Sequence, residues 1–309
     1  MILFTRLKEL EICFENVEGK FKMNNKDSRK EKLIKVFEDT LKILQNQDTL
    51  KSAVQDSIKS SVIYEENNYP ALPLKRVDDT IISVNKYRTF ETAQYYAKKF
   101  PNAKIAVLNF ASATNVGGGV TKGSSAQEES LCRTSTLYPV LNTAENLKNF
   151  YEYHRKRGDS KYTDRCIYTS DIFVIKSDTD FPEILPESKW IKVDVITCAA
   201  PNLRINPNNA MNPGNAKPLK ISDKELYKIH VKRAKHILTV AAHHQADILI
   251  LGAFGCGAFR NNPKIVAEAY KEALKKFSGY FQEVVFAVYC SPKKGNENYI
   301  AFNQILKES

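Results

Sequence analysis

Two adjacent carboxylates follow a run of three glycines in the first half of the chain. The run is Gly117–Gly119, and after a spacer of seven residues come Gln127, Glu128 and Glu129. A carboxyl group can protonate a leaving oxygen and then accept a proton from water, the two transfers that glycoside cleavage needs. Taken locally, the pair is explained equally well as ordinary compensation of a helix dipole by negative charge in the first turn.

A second glycine-rich segment, Gly252-Ala-Phe-Gly-Cys-Gly-Ala-Phe259, precedes a helix that Asn262 and Pro263 open. Backbone N–H groups at such a position suit a phosphate or a diphosphate. The segment is neither a Walker A loop nor a GxGxxG motif, and a tight turn without a ligand is the alternative interpretation. We interpret Cys256 as a packing residue rather than a nucleophile, since no histidine is near it in sequence.

The elements around these segments predict where they lie. Both follow aliphatic runs, at 103–110 and 247–252, that indicate buried strands. Strands and helices alternate through the second half, which predicts an α/β fold with three layers and a mixed, mostly parallel central sheet. Ligands bind such sheets beyond the carboxyl ends of the strands, and both glycine segments stand there. Other strands are predicted at 81–84, 167–175, 190–198 and 283–289, and helices from residue 29 and over about 90–100, 126–138, 222–245 and 263–277.

The domain organisation follows from the same patterns. We expect residues 1–28 to be an N-terminal extension and 29–309 to form one domain, in which 29–80 is an accessory N-terminal part. Residues 202–221, rich in Asn and Pro, predict a long loop, and long ordered loops tend to be functional.

Charge, cysteine usage and hydropathy restrict the cellular compartment in which the protein is expected. The N-terminus carries charge too early for a signal peptide, and the longest apolar runs are too short to span a bilayer. Six cysteines without a CxxC pair argue against a disulfide framework, and five histidines without HExxH or CxxH spacing argue against a structural zinc site. We expect a reducing compartment, the cytoplasm or the nucleus.

The net charge of +11 favours an anionic partner. Five lysines of the segment before and within the predicted helix 222–245 share one face, and a solvated surface is the simpler explanation for them. The alternative is a track for an anionic polymer, bound through its phosphates. The five are Lys220, Lys224, Lys228, Lys232 and Lys235.

Taken together, the two glycine segments resemble the macrodomain-type poly(ADP-ribose) glycohydrolases, and most closely the microbial type. A glycine triplet, a short spacer and Gln-Glu-Glu form the signature of that family. The resemblance covers about residues 30–309. Four further segments are similar and stand in the same order: 107–115, 130–138, 199–202 and 251–259.

The resemblance implies a macrodomain that binds ADP-ribose and hydrolyses the ribose–ribose O-glycosidic bond of poly(ADP-ribose), mainly from chain ends, without a metal or a cofactor. Glu129 would be the general acid/base, and Glu128 would hold ribose hydroxyls. The implied partners are poly(ADP-ribose) or ADP-ribosylated proteins, with ADP-ribose as product and with no membrane and no direct reading of DNA. The implied ADP-ribose contacts are Asn115, Gly117, Gly118, Gly119, Gln127, Gly255, Cys256, Gly257, Ala258 and Phe259.

Within that family reading, Phe259 would fix the distal ribose, Asn115 would hydrogen-bond to it, and the second glycine segment would carry the diphosphate. Tyr289 or Phe302 could supply an apolar wall for the adenine.

The chemistry of the two glutamates sets two further expectations. Neighbouring side chains on a helix diverge by about 100°, so one carboxyl must move the proton while the other binds. A helix N-terminus lowers a carboxyl pKa, whereas a general acid needs a raised one. We therefore expect the pKa of Glu129 to rise mainly when ligand is bound. Two other functions stay open: a non-catalytic ADP-ribose reader, and a hydrolase of mono-ADP-ribosyl or O-acyl-ADP-ribose derivatives.

Overall fold

The computed structural model describes residues 28–291 and 295–307. A seven-stranded sheet lies between two layers of helices, so the predicted three-layer α/β/α fold with a mixed, mostly parallel sheet is confirmed. The predicted extension 1–28 falls outside the described residues except for Ser28. No helix of the described ranges is both long enough and apolar enough to cross a membrane.

The bounds of the elements are as follows. The strands are β1 (Val62–Tyr64), β2 (Ile81–Asn85), β3 (Ile105–Phe110), β4 (Cys166–Val174), β5 (Ile191–Cys198), β6 (Ile248–Leu251) and β7 (Glu283–Ala287). The α-helices are α1 (Arg29–Asn46), α2 (Asp48–Lys59), α3 (Thr89–Lys99), α4 (Gln127–Thr134), α5 (Leu137–Leu141), α6 (Ala144–Asn146), α7 (Tyr153–Arg157), α8 (Asp223–His243), α9 (Pro263–Leu274) and α10 (Glu297–Lys307). A π-helix, Leu147–Glu152, joins α6 to α7, and short 3-10 turns lie at Val120–Lys122 and Glu187–Lys189.

The strand order is β1-β4-β5-β3-β6-β7-β2. Strands β5, β3, β6, β7 and β2 run parallel to their neighbours in that order, while β1 and β4 add two antiparallel pairings at one side. The central strands β3 and β6 are adjacent and parallel. The two glycine segments therefore leave the same end of the sheet from neighbouring strands, as the sequence predicted.

Strand β3 shows why this sheet is buried on both faces. Ile105 and Val107 pack into the core beneath α1 to α5, whereas Ala106 and Leu108 pack into the core beneath α8 and α9. All four are at most 3% exposed. A continuous aliphatic run instead of an alternating one is what two covered faces require.

The helical prediction needs correction in two ways. The predicted helix 126–138 is two helices, α4 and α5, because Ser135 is extended and forms a bridge with Val174 of β4. Helices α2, α6, α7 and α10 and the π-helix were not predicted. The buried residues of α2, Leu50, Val54 and Ser57, recur at i, i+4 and i+7, so a helical pattern was present there.

Candidate active site

The first glycine loop, residues 115–125, folds back over the start of α4. Gly117 and Gly118 both have left-handed backbone conformations, with φ of +63° and +56°, which glycine adopts without a steric penalty. A Cβ on Gly118 would lie 2.6 Å from Glu129 Oε1 and 3.0 Å from Glu128 Oε2. Both carboxylates therefore contact Gly118, and only a residue without a side chain fits at this position of the loop.

Backbone N–H groups fix one oxygen of each carboxylate. The N–H of Gly119 donates to Glu129 Oε1 at 2.9 Å, and the N–H of Ser112 donates to Glu128 Oε2 at 2.7 Å. The second oxygens, Glu129 Oε2 and Glu128 Oε1, are buried and have no hydrogen-bond partner among the described residues. Each carboxyl is thus oriented by the chain and keeps one oxygen for other chemistry.

Both glutamates are nearly inaccessible, Glu128 at 3% and Glu129 at 7% exposure. Burial raises the pKa of Glu129, and the N–H of Gly119 opposes that rise. Burial, followed by the nearby charge of Glu129, raises the pKa of Glu128 well above its usual range. A raised pKa is what a general acid needs near neutral pH.

These findings correct one expectation. The side chains of Glu128 and Glu129 do not diverge but converge on Gly118, because the loop returns over the first turn of α4 and supplies the N–H donors. Burial already raises the pKa of Glu129 in the protein itself, and the expected rise on ligand binding stays a prediction.

Gln127 and Asn115 hold the first glycine loop and α4 in place. The Gln127 Nε2 donates to the carbonyl of Leu108 at 2.7 Å and to Thr89 Oγ1 at 3.1 Å, and its Oε1 accepts from the N–H of Phe110 at 2.8 Å. Its amide is thereby used to join α4 to the end of β3. These bonds give Gln127 a positioning role, and its predicted contact with ADP-ribose stays a prediction.

Asn115 is partly buried, and its Nδ2 donates to the carbonyl of Gly118. The N–H of Gly118 in turn donates to the Asn115 carbonyl at 3.1 Å. Its predicted contact with a ribose stays a prediction.

The second glycine loop, residues 252–259, presents free backbone donors. The N–H groups of Gly257, Ala258 and Phe259 donate to no backbone carbonyl of the described residues. Gly257 and Ala258 are exposed, and no atom lies within 4 Å of a Cβ placed on Gly257. The side chain of Asn262 already caps α9, so the donors available to an anion belong to the loop rather than to the helix.

A residue that the sequence analysis did not single out, Asn261, shapes this loop. It is 2% exposed, and its Nδ2 donates to the carbonyls of Pro201 at 2.8 Å and Gly255 at 3.0 Å. Its Oδ1 accepts from His230 Nε2 at 2.8 Å. Burial lowers the pKa of His230 to about 4, so the ring is neutral at pH 7. The adjacent pair Asn261-Asn262 after the glycines was the available signal.

Phe259, Cys256 and the candidate adenine residues lie in different surroundings. Phe259 packs on a small cluster that contains Tyr162. Burial raises the pKa of the Cys256 thiol, which disfavours the thiolate and agrees with a packing role. Phe302 is fully buried in the core and was wrongly considered for the adenine. Tyr289 is 42% exposed, with the Arg88 guanidinium stacked 3.9 Å from its ring centre.

The lysine face on α8 is only partly free. Lys232 pairs with Glu66 at 3.4 Å and with Asp164 at 3.2 Å. Lys228, Lys232 and Lys235 line a surface cavity of about 330 Å³ together with two tyrosines. The polymer track stays a prediction.

Comparison with known proteins shows which family the chain resembles. Residues 31–177 match the family described as microbial-type PARG, catalytic domain, where PARG stands for poly(ADP-ribose) glycohydrolase. The PARG of Deinococcus radiodurans, solved in complex with ADP-ribose, is 30% identical with a TM-score of 0.68, over 82% of this chain and 97% of that one. The chain belongs to the microbial-type PARG family.

Two structures of the PARG from Thermomonospora curvata are also similar. The first is 28% identical with a TM-score of 0.75, and the second, bound to the inhibitor ADP-HPD, is 28% identical with a TM-score of 0.71. Each covers 89% of this chain and 99% of its own. A comparison with curated proteins gives no significant match. The macrodomain fold expected from the resemblance to PARGs is thereby confirmed.

Proposed function

We propose that this member of the PARG family hydrolyses the ribose–ribose O-glycosidic bonds of poly(ADP-ribose) and releases ADP-ribose, mainly from chain ends. The observation that carries the proposal is the buried pair Glu128 and Glu129, each with one oxygen fixed by a backbone N–H and one left without a partner. A module that only binds ADP-ribose has no chemical need for two desolvated carboxyls, since burying them is costly.

Glu129 acts as the general acid/base in this proposal. Its raised pKa leaves it protonated in a larger fraction of molecules, and the proton passes to the leaving ribose oxygen as the glycosidic bond breaks. The carboxylate then takes a proton from the water that attacks the oxocarbenium-like centre. Gly119 holds the other oxygen of Glu129 throughout, so the reacting oxygen is Oε2.

Glu128 and the second glycine loop bind the substrate. The free Oε1 of Glu128 accepts hydrogen bonds from ribose hydroxyls. The N–H groups of Gly257, Ala258 and Phe259, which donate to no backbone carbonyl of the described residues, donate hydrogen bonds to the diphosphate. Successive backbone donors in a loop bind anions in this way. The ring of Phe259 lies against the distal ribose.

The first prediction concerns Glu129→Gln. Glutamine keeps the acceptor for the Gly119 N–H but has no acidic proton, so turnover falls by at least about 10²-fold, while ADP-ribose affinity is retained. Chromatography measures the release of free ADP-ribose from labelled polymer, and calorimetry measures the binding of ADP-ribose. Glu38→Gln, an exposed glutamate on α1, is the matched control and keeps full activity.

The same assay separates the alternatives. Binding without release of ADP-ribose by the unchanged protein would identify a reader. Release from mono-ADP-ribosylated protein or O-acyl-ADP-ribose, with intact polymer, would identify the other hydrolase. The lengths of early products distinguish cleavage at chain ends, which gives ADP-ribose, from internal cleavage, which gives oligomers. Undiminished turnover by Glu129→Gln would remove Glu129 from the acid role.

A further inference from the structure

The long loop 202–221, whose function the sequence left open, reaches the first glycine loop with its tip. Lys122 Nζ donates to the carbonyl of Ala210 at 3.1 Å, and Ser124 Oγ lies 3.2 Å from the Met211 sulfur. The Met211 Cγ is 2.9 Å from the position of a Cβ on Gly119. The tip of one loop therefore forms part of the wall of the other.

The next residue of this tip, Asn212, is 4% exposed and uses its whole amide. Its Oδ1 accepts from Ser112 Oγ at 3.0 Å and from Thr114 Oγ1 at 3.1 Å. Its Nδ2 donates to Tyr162 Oη at 3.0 Å and to the carbonyl of Pro207 at 2.9 Å. Two acceptor sites and two donor hydrogens are all that an asparagine has.

One side of Asn212 leads to the carboxylates. Ser112, which donates its hydroxyl to Asn212, donates its backbone N–H to Glu128 Oε2 at 2.7 Å. The Ser112 Oγ also accepts from the N–H of Asn115 at 3.1 Å, at the start of the first glycine loop. Asn212 thereby fixes the serine that orients Glu128.

The other side of Asn212 leads to the second glycine loop. Tyr162 has a left-handed conformation with φ of +54°, which a bulky residue adopts only when its surroundings hold it. Its ring lies 6.2 Å from the ring of Phe259, centre to centre, in a shared apolar cluster. The bond from Asn212 to the Tyr162 hydroxyl is one of the contacts that hold it there.

We propose that Asn212 is a positioning residue that couples the two glycine loops, so that Glu128 and Phe259 keep their relative places. This proposal rests on the proposed function, because it concerns how the same site is aligned. The diphosphate donors at Gly257 and Ala258 depend on Asn261 rather than on Asn212. Because Glu128 and Phe259 set where the scissile ribose lies relative to Glu129, loss of Asn212 should misplace the ribose and lower kcat, while the diphosphate donors at Gly257 and Ala258 maintain most of the ADP-ribose binding.

Asn212→Ala is expected to lower kcat on poly(ADP-ribose) by about tenfold or more, since small misplacements of reacting groups are costly, and to change KM by less than about threefold. The matched control is Asn208→Ala in the same loop. Asn208 bonds both backbone groups of Ala216, at 2.7 and 3.1 Å, and contacts neither glycine loop through a hydrogen bond among the described residues. It should lower the melting temperature without a comparable loss of kcat.

Tyr162→Phe, which removes one hydroxyl and keeps the ring, gives a second test that does not endanger the fold of the loop. The double variant Asn212→Ala/Tyr162→Phe should be no slower than Asn212→Ala alone, because both changes remove the same hydrogen bond between Asn212 and Tyr162.

Equal kcat values for Asn212→Ala and Asn208→Ala, or strictly additive losses in the double variant, would overturn the coupling. If the unchanged protein releases no ADP-ribose, the proposed function fails instead. If Asn212→Ala does not fold, as judged by circular dichroism, a kcat of Tyr162→Phe equal to that of the unchanged protein overturns the proposal, and a lowered kcat at constant KM supports it.

Discussion

The space beside Gly118 is the tightest constraint on the two carboxylates. A Cβ on Gly118 would lie 2.6 Å from an oxygen of Glu129 and 3.0 Å from an oxygen of Glu128. The residue also has a left-handed φ of +56°. The sequence identified the glycine triplet and the two carboxylates as parts of one motif, but not that the carboxylates occupy the space which the missing side chain of Gly118 leaves.

Gly118→Ala should therefore lower both stability and turnover. The left-handed conformation alone costs an L-residue about 1–2 kcal/mol, and the new methyl group must also displace at least one carboxylate. Chemical denaturation measures the first effect and the polymer assay measures the second. Gly257→Ala is the control for stability, because its Cβ meets nothing within 4 Å and its φ is not left-handed. An active Gly118→Ala protein would mean that the loop takes another conformation.

Single residues also mark the limit of sequence reasoning about the site. Glu128, Glu129 and the glycines were identified because their order is a motif. Asn212 and Asn261 carry no motif, since each acts through hydrogen bonds to partners that are distant in sequence. A polar residue in a loop indicates a turn as readily as it indicates a buried connection.

At the scale of elements, α1 is part of the support of the active site. It begins with a reciprocal capping box, in which Ser28 and Glu31 bond to each other's backbone N–H. The carbonyl of Lys30 lies against Gly123 of the first glycine loop. The side chain of Arg133 on α4 donates to the carbonyl of Leu33 at 3.1 Å and to that of Ser124 at 2.5 Å. Arg133 thus ties α1 and the loop to the helix that carries Glu129.

Arg133→Met should lower turnover as well as stability. The change removes one hydrogen bond to the carbonyl of Leu33 and one to the partly buried carbonyl of Ser124, at a cost of about 1–3 kcal/mol in total, and it frees the end of the glycine loop. Lys176→Met is the matched control, because Lys176 bonds α1 at Val36 and Asp39, at 2.9 and 2.7 Å, but does not bond the loop. The free energy of unfolding and kcat are measured for both. A kcat reduced equally in the two variants would assign the whole effect to α1 rather than to the loop.

The elements were predicted unevenly for physical reasons. Strands β3 and β6 were found because a strand covered on both faces needs an unbroken aliphatic run. The break between α4 and α5 was missed because the Ser135 bridge to Val174 is a tertiary contact that overrides local helix propensity. The sequence analysis set 29–80 apart as an accessory part, yet its strand β1 pairs with β4 in the same sheet.

At the scale of the whole molecule, buried histidines make stability depend on pH. Burial lowers the pKa of His154 to about 3 and the pKa values of His230 and His244 to about 4. The unfolded chain has histidine pKa values near 6.5, so it binds more protons than the folded chain between about pH 4 and 6.5. Stability from these groups is therefore present above pH 6.5 and is lost as the pH falls. The raised pKa values of Glu128 and Glu129 act in the opposite direction.

His154→Gln isolates one of these contributions, because the two glutamates are unchanged in it. The folded protein must keep His154 neutral, with Nδ1 donating to the Phe150 carbonyl at 2.8 Å. Compared with the unchanged protein, the variant should lose less stability between pH 7 and pH 4, by up to about 3 kcal/mol. Urea unfolding at several pH values measures the difference. Parallel curves for the two proteins would show that His154 is protonated in both states alike.

The segment 65–80 connects the two edge strands of the sheet. It leaves β1 at one edge of the sheet and enters β2 at the other. On its way Asn68 contacts His236 of α8 at 3.0 Å, and Arg76 contacts Asp247, just before β6, at 2.8 Å. The segment therefore runs from the glycine-loop end of the sheet, where Tyr64 pairs with Cys166, to the opposite end, where Ile81 pairs with Glu283. A break anywhere along it would loosen both edge strands at once.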